Sequence, residues 1–169
     1  MGDLYLKDSK QRYHQVCIQS YNTSCGMACV AMTERIYKHL ARSDETKARR
    51  LSQQYPGAWS EMNGSWPWNW RSVLNAEGVQ TYKETYVGYS SVYSYLKFYA
   101  KFATPVIVGV QWYGGGGHAV LCAISDPDDI FVFFDPWYGL IEVAGTRFPY
   151  YDSPDGLGYM DGWLLITRH

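Results

Sequence analysis

Apolar residues recur at Cys25, Ala28, Cys29, Met32, Ile36 and Leu40, three and four positions apart. That spacing lays one apolar stripe along a helix and predicts a helix over 25–40. Asn22, Thr23 and Ser24 offer capping side chains just before it. A second helix is expected from a cap at Ser43 to about Tyr55, with Asp44 and Glu45 in its first turn and Pro56-Gly57 at its end. A loop rich in Trp, Asn and Gly follows over 57–67. A short helix is then predicted from Trp68 to Glu77, closed by Gly78, with a short strand from Val79 to Glu84. Val92, Tyr95, Leu96 and Tyr99 share one face of a further helix, from Ser90 or Ser91 to Phe102.

Beyond Pro105 the pattern becomes that of strands. Val106 to Val110 is a β-branched run, and His118 to Ile124 and Ile130 to Phe134 flank the turn signal Asp126-Pro127-Asp128-Asp129. Leu140 to Val143 and Trp163 to Thr167 complete the predicted strands. The class is α+β, a helical half packed against an antiparallel β-sheet half. With no repeat and no linker in its 169 residues, the chain is expected to form one domain over 1–169.

Composition narrows the function. Fifteen basic residues against sixteen acidic ones lack the surplus of cations that phosphate contacts demand, which argues against a nucleic-acid partner. No apolar run reaches the ~20 residues of a membrane span. Met1 to Lys7 lacks the basic-then-apolar pattern of a secretory signal, and Leu6 stands at the Ser/Thr position of a myristoylation site. The expected location is the cytosol, or outside the cell by a route without such a signal. Sixteen Tyr and seven Trp suit a groove that grips an extended polymer. Cys17, Cys25, Cys29 and Cys122 form no Cys-x-x-Cys pair, and with His14 they match no common zinc spacing, so neither metal nor a disulfide framework is expected.

Cys25 differs from the other cysteines by standing at a helix start, where free N–H groups and the positive end of the helix dipole favour a thiolate. Cys29, one turn on, is assigned to packing. Gln19 can donate from its amide to an oxyanion, with the Cys25 backbone N–H as the second donor. His118, after four glycines and at a strand start, is the best candidate base; His14, His39 and His169 have weaker positions. Asp135 can orient His118 if the hairpin register allows. Partner numbers summing to 253 set the two on one face, whereas a sum of 254 turns Asp135 away. Together these residues form a nucleophile, base, orienter and oxyanion donor. Trp66, Trp68 and Trp70 either wall the cleft or only pack, and Gly114 to Gly117 form a flexible loop.

The segment Gln19 to Cys29, with its Cys25-Gly26-Met27-Ala28-Cys29 core, resembles the catalytic segment of papain-like cysteine peptidases, above all the bacteriocin-processing peptidases that cut double-glycine leaders. Gly117 to Leu121 and Asp135 to Gly139 resemble that family's histidine and aspartate motifs, in the same order. The resemblance implies a papain-like fold with Cys25 as nucleophile, His118 as general base, Asp135 as orienter and Gln19 as oxyanion donor. It implies a peptide or protein substrate, hydrolysis through an acyl-enzyme, and no cofactor. Ser24 replaces the Asp usual in that family, and these 169 residues contain no transporter, so the double-glycine substrate is not carried over. The same residues would serve a transglutaminase-like enzyme, a deamidase or an acyltransferase, and a degenerate fold would serve as a non-catalytic peptide binder. The standalone site and low charge suit a bacterial effector or toxin.

Overall fold

The computed structural model describes residues 2–168. An N-terminal hairpin of β1 (Asp3–Lys7) and β2 (Tyr13–Cys17) precedes the helices α1 (Cys25–Lys38), α2 (Glu45–Ser52) and α3 (Pro67–Ala76). Strand β3 (Thr81–Tyr86) leads through a 3-10 turn into α4 (Val92–Tyr99). The remaining strands are β4 (Val106–Trp112), β5 (Gly117–Ser125), β6 (Ile130–Asp135), β7 (Gly139–Ala144), β8 (Tyr150–Ser153) and β9 (Gly156–Thr167). No described helix is long and apolar enough to cross a membrane.

Helix α1 is buried from Gly26 to Ile36, all round rather than along the one stripe expected. It lies between the sheet and the pair α2 and α3. It ends at His39, which adopts the left-handed conformation (φ 55°) and donates to the carbonyls of Arg35 and Ile36. The cap of α2 is Asp44, not Ser43: its side chain accepts from the Lys47 N–H at 2.8 Å. Pro67 opens α3 at its first turn, where a missing N–H costs nothing. Buried Asn69 then fastens the tryptophan loop, donating to the carbonyls of Ser52, Tyr55 and Pro56 while accepting from the Ser52 hydroxyl.

Six strands run antiparallel in the order β3-β9-β4-β5-β6-β7, and β8 pairs with β9. Alternate residues feed two cores. Ile107, Ala119, Leu121, Val132 and Phe134 face α1, whereas Val108, Val120, Phe131 and Phe133 face Val92 and Leu96 of α4. The fold is therefore α+β as expected, but its helices are not all on one side: α4 covers the opposite face.

The β5–β6 hairpin follows neither expected register. Asp126-Pro127-Asp128-Asp129 forms a turn closed by the Asp129 N–H on the Asp126 carbonyl, and Asp129 is left-handed (φ 67°). This longer turn gives partner numbers summing to 256 beside it, with Ile124 opposite Val132. That even sum would turn Asp135 away from His118. A bulge at Ala123 inserts one extra residue, after which Cys122 faces Phe133 and the sum becomes 255. The odd sum returns His118 and Asp135 to one face.

Hairpin β1–β2 and strand β8 were not expected from the sequence. Both are short and rich in polar residues, without the apolar alternation that announces a strand. The last strand is also longer than expected, starting at Gly156 rather than Trp163.

Candidate active site

Cys25 is the first residue of α1, and its helix start is left open. Ser24 occupies the cap position but makes no cap bond; its hydroxyl instead turns back to the Tyr21 carbonyl at 3.0 Å. No acidic residue stands in the first turn. The first-turn N–H groups, Cys25's included, thus keep no intrahelical acceptor. The Tyr21 carbonyl is the hub of the preceding loop, accepting also from the Ser24 N–H and from Gln19 Nε2 at 2.6 Å. Gly26 lets this helix start approach Trp70, because a Cβ there would collide with the indole.

His118 and Asp135 meet as the odd register requires. His118 Nε2 lies 2.9 Å from Asp135 Oδ1, which leaves Nδ1 for the Cys25 side. Burial alone would lower the His118 pKa, but hydrogen bonding to Asp135 and to Cys25, with their charges, raises it to about 10. Trp112 stacks on the ring at 5.6 Å between centroids, and Trp137 closes the other side at 5.9 Å. Asp135 is fully buried and fully used. Its Oδ1 also accepts from the Trp137 and Tyr138 N–H groups, and its Oδ2 accepts from the Tyr151 hydroxyl at 2.8 Å.

Gln19 is joined to this group through its backbone, whose N–H donates to the Pro136 carbonyl at 2.9 Å. Its side chain is buried, does not line the cavity, and has spent one amide N–H on Tyr21.

A cavity of about 420 Å³ opens over Cys25 and His118. Trp66, Trp68 and Trp70 all line it, so the cleft-wall expectation describes them better than packing alone. Trp66 and Trp68 stack at 5.1 Å and remain 54% and 43% exposed, whereas Trp70 is buried and donates to Ser65. Gly117 belongs to the rim, and Asp161 lies opposite, above Gly109.

The other candidates lie elsewhere. Cys17, Cys29 and Cys122 are buried, and burial pushes all three thiols up, Cys17 to about 12. His14 is buried in β2 with Nε2 2.9 Å from Asp8. His39 ends α1, and His169 lies outside the described residues. Sequence reasoning missed Trp112, Tyr151 and Asp161. Only Asp161 carried a signal, an Asp-Gly pair interrupting an apolar run.

No protein-family profile matches the sequence, and no curated protein matches it. A solved double-glycine motif protease from an AMS/PCAT transporter, determined in complex with the leader peptide, superposes with a TM-score of 0.58 at 17% identity. The likeness covers 100% of this chain and 99% of that one. The chain has the fold of that protease. The Pseudomonas avirulence protein AvrPphB is a more distant likeness, with a TM-score of 0.41 and 12% identity over 78% of this chain and 81% of that one.

Proposed function

We propose that the protein is a papain-like cysteine peptidase acting through Cys25, His118 and Asp135. One observation carries the reading: a buried imidazole bonded to a carboxylate through one nitrogen presents the other to a half-buried cysteine at an open helix start. A second His–carboxylate pair, His14 and Asp8, does not line this cavity.

In this reading His118, with its raised pKa, carries the proton and Cys25 attacks as the thiolate. The sulfur bonds to the substrate carbonyl carbon, and the carbonyl electron pair becomes an oxyanion. That charge is received by the Cys25 backbone N–H; the Gln19 amide, outside the cavity lining, would have to turn from Tyr21 to be the second donor. As the C–N bond breaks, His118 gives its proton to the leaving amine. Water then attacks the thioester, losing a proton to His118, and the acid leaves as the thiolate returns. Asp135 fixes the ring and balances its charge. Peptide binding by the neighbouring fold supports a peptide or protein substrate here.

The test combines labelling with cleavage. Iodoacetamide should modify Cys25 far faster than Cys17 or Cys122, and His118→Ala should slow it. A peptide library should be cut by the wild type and not by Cys25→Ala. Equal reactivity of the cysteines, or a rate indifferent to His118→Ala, removes the basis of this reading.

A further inference from the structure

Strand β9 departs from regular pairing beside the cavity. Val108 faces Leu164 and Val110 faces Met160, so β9 spends four steps where β4 spends two. Asp161, Gly162 and Trp163 stand there against Gly109 alone, two residues more than β4 spends. Gly162 (φ 95°) lies so close to the Gly88 backbone that a Cβ would press on it. A bulge of this kind re-aims side chains. Here it sets the Asp161 carboxylate over Gly109, where any side chain on β4 would strike it.

Asp161 keeps local partners only: Oδ1 accepts from the Trp163 N–H at 2.9 Å, and Gln111 Nε2 lies 3.3 Å from Oδ2. Among the described residues no Lys, Arg or His forms an ion pair with it. Among the described residues the cavity lining contains no Lys or Arg, Asp161 is its sole carboxylate, and its other titratable groups are Cys25 and His118 of the candidate site. Trp66, Trp68, Trp70 and Trp163 line the same cavity. A carboxylate and indoles on one cavity are the chemistry that receives a cation, because indole ring faces attract positive charge as well.

We infer that Asp161 and the tryptophans of this cavity select a basic side chain, arginine or lysine, next to the scissile amide of the substrate. This rests on the peptidase reading for its place in the substrate, but the cation site can be measured without cleavage.

The Cys25→Ala protein would be titrated with N-acetyl-arginine amide and its neutral isostere N-acetyl-citrulline amide, followed by tryptophan fluorescence. The arginine probe should bind about tenfold more tightly. The ratio should fall towards one in Asp161→Asn, which keeps an acceptor for Trp163. It should also fall in Gln111→Lys, which neutralises Asp161 without altering it. Equal or absent binding of the two probes overturns the inference. So does a ratio that survives Asp161→Asn, or an equal weakening of both probes, which would assign Asp161 to substrate backbone amides. In parallel, wild-type cleavage of a peptide library should favour arginine or lysine beside the cut. Cleavage without that preference ends this inference and leaves the peptidase standing. A preserved probe ratio with no cleavage at all ends the peptidase reading and leaves the cation site.

Discussion

Asp135 holds two structural duties on one oxygen. The Asp-Pro pair invites a turn opener, and Oδ1 does accept from Trp137 and Tyr138; the same atom faces His118. The turn thereby fixes the carboxylate against the imidazole. The second oxygen depends on Tyr151 alone among the described residues. Tyr151→Phe leaves that oxygen buried and unpaired, so it should destabilise the fold by about 2 kcal/mol in urea unfolding. It should also lower kcat in peptide cleavage with KM little changed, because the loss is in aligning His118. The positions of Cys25, His118 and Asp135 were legible in the sequence because each sits at an element end marked by local chemistry, whereas Gln19, in the loop after β2, has no such mark. Tyr151 and Trp112 were not, since a tyrosine or tryptophan among so many gives no local sign of the neighbour it will meet.

At the scale of elements, the N-terminal hairpin is fastened to the β5–β6 turn by Arg12, with Lys10 beside it on Asp126 and Asp128. Arg12 Nε donates to Asp8 at 2.5 Å, and its two other nitrogens bond Asp126 at 2.8 and 2.6 Å. Both carboxylates are buried while Arg12 is partly exposed. Arg12→Ala should cost about 2 kcal/mol in denaturant unfolding, less than a fully buried pair, because solvent screens the exposed partner. Burial would raise the Asp8 carboxyl, but hydrogen bonds from His14 and Arg12 hold it well below its ordinary value. Arg12 and Lys10 likewise lower Asp126. This contribution is present above the ordinary carboxylate value and lost as pH falls below it, so the Arg12→Ala deficit should shrink in acid. The helices and central strands were legible from apolar spacing, helix caps and β-branched runs. The register was not. It turns on a left-handed Asp129 and an extra Ala123, whose effects on which side Asp135 faces cancel, and nothing in the apolar pattern distinguishes that pair of shifts from none.

For the whole molecule, the site exists only when distant segments close. Gln19 meets Pro136, Cys25 meets His118, and Asp161 reaches the same cavity from the last strand. His118 therefore titrates as part of the folded state, and its pH dependence reports closure. A folded pKa of about 10 against an ordinary 6.5 means the protonated ring stabilises the native state. That contribution is complete below pH 6.5 and is lost as pH rises through 10, at up to about 1.4 kcal/mol per pH unit. Buried Cys17 weakens the fold in the same direction, but only above its ordinary 9.0, where the unfolded thiol ionises and the folded one does not. The window from 6.5 to 9 is thus the one in which His118 can be read. Denaturant unfolding of wild type and His118→Asn across that window should give a stability difference that narrows steadily with rising pH. A constant difference would mean that the ring is neutral in the folded protein, with no proton ready for a leaving amine.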